Sequence, residues 1–417
     1  MNIGLQTWGS DGDILPFIAL ADGLSSAGHE VTLFYTSIDN KDYSPLGKSF
    51  NIKLIKVYDK FELDADKVFR DVTKFINPLN EFALVLEKYF DPAVEEMYEA
   101  SKNLCIENDL VIGHIVNHTL LTAAEKYKCP RVSLALFTNA IQSKYMSPLG
   151  INLGKFINTL SWKLGDYLVR KKCFKSANNI RLQEGLPPIK SLSQELYISK
   201  ELTLISSSEV LTPRHPDWKD YIEICGHLKI PNIDSQWEIP HGLRRFLDDG
   251  EPPVYLSFGS CTQFDLEDTT RLFVDSVNLS GKRAIIQSDW EHISSNYNFP
   301  NIYKVTRIPH EKIFPHCSMV VHHGGAGITN TSLTLGKPSL VVAHAFDQPY
   351  WGKRLENLEL GKLLYRRSTT PKKIAKEIIN ILNSSQIKNN VERVSRIMNK
   401  ENGVTRAVEL IEKRFIK

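Results

Sequence analysis

No stretch of this chain approaches the run of about twenty apolar residues needed to cross a bilayer. The first strand pattern, Asn2-Ile3-Gly4-Leu5-Gln6-Thr7-Trp8, starts at once, with no basic segment and apolar core ahead of it as in a secretory leader. Net charge is also scarce: 51 basic against 48 acidic residues leave +3, too little to suggest a nucleic-acid partner. The six cysteines (Cys105, Cys129, Cys173, Cys225, Cys261, Cys317) contain no CxxC spacing. They read as reduced, structural thiols of a cytoplasmic protein. There is no GxxxxGK[ST], which argues against a P-loop NTPase. The first loop lacks GxGxxG, and Phe34-Tyr35-Thr36 stand where a ribose-binding acid would be, which argues against NAD binding. Internal repeats and low-complexity tracts are missing too.

What is present is a chain of 417 residues with 42% apolar and 24% charged side chains, a globular composition long enough for two domains. A strand at 3–8, a loop Gly9-Ser10-Asp11-Gly12-Asp13, a helix opening with Pro16 near its start and stopping at Gly28, and a strand at Glu30–Phe34 make a βαβ unit. Such a unit crosses over into a parallel sheet. Further strands are expected at Leu110–Ile112, Arg131–Leu136 and Leu202–Ser206. Pro231, Pro240, Gly242 and Gly250 then break the rhythm, before βα alternation restarts at Val254–Phe258, Arg283–Gln287, Met319–His322 and Ser339–Val342. The expected partition is a domain at 1–229, a linker at 230–250, a domain at 251–400, and a helix within 401–417 that can pack back on the first domain. The fold class is α/β, two Rossmann-like domains whose parallel sheets face across a cleft. In such folds ligands bind beyond the carboxyl ends of the strands.

The most informative stretch is Val320-Val321-His322-His323-Gly324-Gly325-Ala326-Gly327-Ile328-Thr329. An apolar strand ends at two histidines, a glycine turn follows, and a helix begins near Ile328. Glycines let a phosphate approach the backbone, and the first N–H groups of the helix point at it. One strand later come Phe346-Asp347-Gln348-Pro349-Tyr350-Trp351. A carboxylate and an amide at a strand's end suit hydrogen bonds to sugar hydroxyls.

His322 to Gly361 resembles the donor-binding signature of bacterial family 1 glycosyltransferases, the group of the sterol, macrolide and glycopeptide-antibiotic glucosyltransferases. Gly9 to Pro16 looks like the family's acceptor-side loop, and Phe258-Gly259-Ser260 like its third landmark. The resemblance implies a GT-B fold, with the donor on the second domain and the acceptor on the first. By position it implies that His322, Gly324, Gly325, Ala326, Gly327, Ile328 and Thr329 hold the diphosphate, with Ser260 nearby. Asp347 and Gln348 would read the transferred sugar, Trp351 would border that pocket, and Trp290 would sit near the base. Two positions depart from the pattern: Ile328 stands where Thr is frequent, and Lys312 where sterol-type members usually have Trp.

The implied reaction is inverting transfer of a hexose, glucose by default, from a UDP- or TDP-sugar to a hydroxyl of a lipophilic or phenolic acceptor, UDP being favoured. Asp13 is the expected general base, on the loop with Ser10, Asp11 and Gly12. Asp11-x-Asp13 spells DxD, but it lies in the first loop rather than by the donor turn, so neither a metal nor another cofactor is expected. A sugar-nucleotide 2-epimerase, a glycosyl phosphorylase and a non-catalytic sugar-nucleotide binder are the alternatives. Acceptor surface is expected from Phe61, Phe69, Phe75, Phe82, Phe137, Tyr145, Met146, Phe156 and Trp162. Segment 151–190 is basic with interleaved apolar residues, suited either to solvent or to weak peripheral contact with an anionic membrane. The protein is expected as a monomer or homodimer. His114, His118 and His323 are not assigned to the site, since a histidine in such places is commonly a satisfied structural residue.

Overall fold

A computed structural model describes residues 1–61, 78–138, 140–230, 236–259, 266–293 and 299–416. The chain divides into two compact units, 1–231 with 401–417, and 232–400, apart from a short stretch outside the described residues.

The first unit is built on a seven-stranded parallel sheet: β1 (Asn2–Gly9), β2 (Glu30–Ser37), β3 (Lys53–Tyr58), β4 (Leu110–His114), β5 (Arg131–Ala135), β6 (Leu202–Ile205) and β7 (Ile222–Ile224). Their spatial order is β3-β2-β1-β4-β5-β6-β7. β1, β4, β5 and β6 are almost wholly buried, as expected of strands covered on both faces. Helix α1 spans Asp11–Ser26 and buries Ile14, Phe17, Ile18, Leu20 and Leu24. It starts at Asp11, within the segment read as a loop, and Pro16 sits inside it. The reason is a capping box: the Ser10 N–H donates to Asp13 Oδ2 at 3.0 Å and satisfies the first turn from Ser10 onward. The C-terminal helix Gly403–Phe415 lies against α1, with Ala407, Val408, Leu410 and Ile411 in the same core. A Cβ on Gly23 would come within 2.2 Å of Val404, so that helix pair is close. Helix α2 (Lys155–Cys173) lies on the flank of this unit.

The second unit carries a six-stranded parallel sheet: β8 (Val254–Ser257), β9 (Ala284–Gln287), β10 (Ile302–Val305), β11 (Met319–His322), β12 (Ser339–Ala343) and β13 (Gly361–Tyr365), ordered β10-β9-β8-β11-β12-β13. Helix α3 (Ala326–Thr334) follows β11, and α4 (Gln348–Asn357) follows β12. Part of the segment read as a linker is helical. Helix His241–Asp248 buries Leu243 and Leu247 in a core cluster with Tyr255, Ile285 and Val320. Pro240, taken as a breaker, is its N-cap. Each buried leucine stabilises the unit by about 1.5–3 kcal/mol.

Each sheet reverses its strand order once, between β1 and β4 in the first unit and between β8 and β11 in the second. Such switch points open a crevice at the carboxyl ends of the strands, where ligands bind in open α/β sheets.

Candidate functional site

At the first switch point, β1 ends in Gly9 and leads through Ser10 into α1. Gly9 takes φ +132°, and a Cβ there would fall 2.2 Å from Asp13 Oδ2, so only glycine leaves room for that carboxylate. Asp13 Oδ2 accepts from the Ser10 N–H, and its main-chain oxygen accepts from Thr7 Oγ1 at 3.0 Å. Its other carboxylate oxygen lies 3.8 Å from Nε2 of His114, the last residue of β4. His114 is 5% exposed, and burial pushes its imidazole down to about 4, so the ring is neutral at pH 7. The Val116 N–H points at Nδ1 at 3.4 Å, which leaves the ring hydrogen on Nε2, on the side of Asp13 but too far from it for a hydrogen bond. Asp11 is turned elsewhere: it accepts from Lys41 Nζ at 2.5 Å and from the Tyr43 hydroxyl. Ser10 serves as the cap, and Gly12 is exposed on the first turn. Sequence pattern missed His114 as a neighbour of Asp13 because only the β1–β4 pairing brings residues a hundred positions apart together.

At the second switch point, β8 leads to Gly259 and β11 to His322. A Cβ on Gly259 would come 3.2 Å from His323 Cε1, so the two strand ends are adjacent. His322 is fully buried, and its Nδ1 accepts from the Gly324 N–H at 3.1 Å. Its hydrogen therefore sits on Nε2, which has no hydrogen-bond partner among the described residues. Burial, with His323 and His310 close by, holds this imidazole well below its usual range. It is a neutral N–H donor, not a cation. Gly324 takes φ +97°, and a Cβ there would press to 2.7 Å on Val341 and 3.1 Å on the Gln348 carbonyl oxygen. Gly325 caps α3, which begins at Ala326, two residues before the predicted start. The first-turn amides of Ala326, Gly327 and Ile328 have no carbonyl of their own helix to meet. The Thr329 N–H donates to the Gly325 carbonyl at 3.1 Å. Thr329 Oγ1 and Asn330 Oδ1 are buried, again without a partner among the described residues. Unpaired buried polar atoms are costly, and with His323 Nδ1 four of those among the described residues fall between positions 322 and 330. Ile328 offers backbone alone, because its side chain packs in the core with Tyr255 and Phe314.

The loop after β12 places Asp347 at the N-cap of α4, reached through Phe346 at φ +58°. A left-handed conformation there costs an aromatic residue about 1–3 kcal/mol. Burial raises the Asp347 carboxyl above its ordinary value, while a 2.7 Å hydrogen bond donated by Trp351 Nε1 to Oδ2 pulls the other way. Trp351 is fully buried and meets the loop through that bond to Asp347. Gln348 Oε1 accepts from the His344 and Ala345 N–H groups at 2.7 and 3.2 Å and ties the loop to the helix. Trp290 sits beyond the ends of β9 and β10, its Nε1–H shared between the Ile286 and Val305 carbonyls, both at 3.2 Å, with Lys304 Nζ 4.8 Å from the ring centre. Lys312 is half-buried beside Phe314. Ser260, Phe69 and Phe75 lie outside the described residues. Among the acceptor-side aromatics, Phe61 and Trp162 are buried, and Phe82 and Phe137 pack partly into the core. The five cysteines among the described residues are free thiols. No described helix is long and apolar enough to cross a membrane, and no described group of three or more His, Cys, Asp or Glu could hold a metal ion.

Residues 272–411 match the family described as erythromycin biosynthesis protein CIII-like, C-terminal domain. Along 98% of its length the chain is 25% identical to a sterol 3-beta-glucosyltransferase of Arabidopsis thaliana, covering 65% of that protein. It is 25% identical to an uncharacterized glycosyltransferase of Mycobacterium leprae, covering 99% of this chain and 96% of the other. The chain spans only about a quarter of the length of some relatives, 26% for a UDP-sugar-dependent glycosyltransferase of Dictyostelium discoideum. The solved glycotransferase of kitacinnamycin shares the fold over 99% of both chains, at TM-score 0.73 and 17% identity. The glycosyltransferase VinC, solved in complex with DTDP, does so over 99% of both chains at TM-score 0.68 and 15% identity. In sequence the chain is similar to family 1 UDP-glycosyltransferases, and its two parallel-sheet units are of GT-B type.

Proposed function

We propose that the protein transfers a hexose, glucose in the first instance, from a UDP- or TDP-sugar to a hydroxyl of a lipophilic or phenolic acceptor such as a sterol or polyketide. The observation that carries this reading is the turn between β11 and α3. It joins a strand end at a sheet switch point to a helix start, and it carries a neutral His322 N–H and a buried Thr329 hydroxyl, neither with a partner among the described residues. Donors without a formal cation suit a diphosphate that must be held and then released.

The second unit would hold the diphosphate with His322, Thr329 and the backbone of 324–329, with Ser260 contributing from the neighbouring loop. Asp347, oriented by Trp351, would accept from the sugar's hydroxyls, Gln348 would steady that loop, and Trp290 would flank the base. The first unit would supply the base. The acceptor oxygen attacks the anomeric carbon, its proton passes to Asp13, and the bond to the diphosphate breaks with the electron pair on the leaving oxygen. Direct displacement inverts the anomeric configuration. His114 Nε2–H is placed to orient the Asp13 carboxylate and to support its charge before transfer, a positioning role. In this reading no metal takes part, so transfer should survive EDTA. The chain would work in the cytoplasm as a monomer or homodimer.

The test is incubation with a panel of UDP- and TDP-hexoses and mixed lipophilic alcohols, with products read by mass spectrometry. A product heavier than an acceptor by one hexose residue supports the reading. Conversion of the donor to an epimer without any acceptor, or donor binding with no product from any alcohol, would replace it with one of the two non-transfer alternatives.

A further inference from the structure

Helix α2 has its faces reversed relative to an ordinary surface helix. Its inward side is polar and aromatic. Asn158 is buried and accepts from the Leu153 N–H at 2.9 Å while donating to the Lys144 carbonyl at 3.0 Å. Trp162 is buried and donates to the Met146 carbonyl at 2.7 Å. Asp166 accepts from the Ser193 N–H at 2.9 Å, and its side chain is 12% exposed. These contacts fix the helix with its apolar side outward. Phe156 is 82% exposed, Leu160 55%, Leu164 56% and Tyr167 49%. Spaced three or four apart, they form one continuous stripe. Nine of the twenty large apolar side chains exposed among the described residues fall within 149–168. A stripe of that density is not the scattered exposure normal for a soluble surface.

Along the segment itself the charge is almost all of one sign. Lys163 and Lys172 flank the stripe on either side of the helical wheel, Lys172 also donating to Asn80 Oδ1, and Lys171 lies at its carboxyl end, all three exposed. Asp166 is the only carboxylate between Lys144 and Gln183, and it is turned inward. A second copy of this chain would bring a like-charged rim against this one, whereas anionic lipid headgroups complement it.

We propose that the outer face of α2, with the preceding loop at Leu149–Leu153, is an interfacial docking surface for an anionic lipid bilayer. The apolar stripe enters the headgroup–acyl boundary and the flanking lysines meet phosphate and carboxylate headgroups. The inference is independent of the transfer reaction and would stand if the protein only bound sugar nucleotides.

The full chain is tested by co-sedimentation with sucrose-loaded vesicles, either pure phosphatidylcholine or phosphatidylcholine with about one-third phosphatidylserine, at low and at high salt. The wild type should pellet with the anionic vesicles at low salt and much less with the neutral ones. Leu160→Gln with Leu164→Gln should weaken binding about tenfold or more. Lys163→Gln with Lys172→Gln should weaken it about tenfold at low salt and little at high salt. All four positions are exposed, so both variants should keep the wild-type circular dichroism and melting temperature. A wild type that stays in the supernatant with anionic vesicles at low salt overturns the proposal. So does binding that Leu160→Gln/Leu164→Gln leaves unchanged. A dimer in analytical ultracentrifugation that this variant dissociates, with no vesicle binding by either protein, would instead assign the stripe to a second copy.

Discussion

Gly327 offers a perturbation that separates diphosphate binding from folding. It lies on the first turn of α3, is exposed, and a Cβ there would meet nothing within 4 Å. Gly327→Asp therefore fits without displacing a neighbour. Replacing a helical glycine and adding an acid at a helix N-terminus should raise stability by about 0.5–1.5 kcal/mol. The same carboxylate would stand among the amides proposed to hold a diphosphate. A unit charge about 5 Å from two phosphate charges, in a half-solvated site, repels them by about 1.5–3 kcal/mol. Titration calorimetry with UDP and TDP should thus show a drop in affinity of about ten- to a hundred-fold, while thermal unfolding shows an equal or higher melting temperature. UDP and TDP binding as tight as in the wild type, in a variant that is at least as stable, would refute the placement of the diphosphate at this turn.

Asp13→Asn keeps an acceptor for the Ser10 N–H and so should preserve the start of α1, shifting stability by less than about 1 kcal/mol. As a lost general base it should lower kcat by about 10²–10⁴-fold without weakening UDP binding; turnover near that of the wild type would remove Asp13 from that role. His114→Gln should reduce kcat about tenfold, leave donor affinity intact and shift the acid limb of the rate profile, the last being a readout that mere loss of packing would not move. Burial holds His114 at about 4 and His118 at about 3 in the folded chain, against 6.5 when exposed. Both are neutral when folded and take up a proton on unfolding, so the stability they leave intact above pH 6.5 is lost as the pH falls below it. At pH 5 each should cost about 2 kcal/mol, seen as a falling melting temperature between pH 6.5 and 5 that a His118→Phe variant blunts.

The parallel strands and the turn at 322–329 are legible in the sequence because both rest on local signals: unbroken apolar runs bounded by glycine, with a helix pattern after them. The errors have equally local causes. Asp11 to Asp13 read as loop, although Ser10 and Asp13 at capping-box spacing mark the start of α1. Pro240 and Gly242 looked like breakers, but a proline before a first turn is compatible with a helix, and Leu243 and Leu247 supply its buried face. Other features depend on contacts no window of sequence contains. The burial of Trp351 and its hydrogen bond to Asp347 are set by the fold. Ile328 faces the core. His114 meets Asp13 only because β4 lies beside β1. The basic and apolar composition of 151–190 is legible in the sequence, but which face of α2 turns outward is not: only the hydrogen bonds of Asn158 and Trp162 decide which side turns in.

Amide hydrogen exchange of the whole chain, with and without saturating UDP or TDP, addresses the nucleotide site most directly. Slowed exchange should concentrate at residues 322–329 and 344–349, with peptides of the first unit's sheet core unchanged. Nucleotide-dependent protection that leaves 322–329 untouched and appears elsewhere would contradict the assignment of this helix start as the diphosphate cradle.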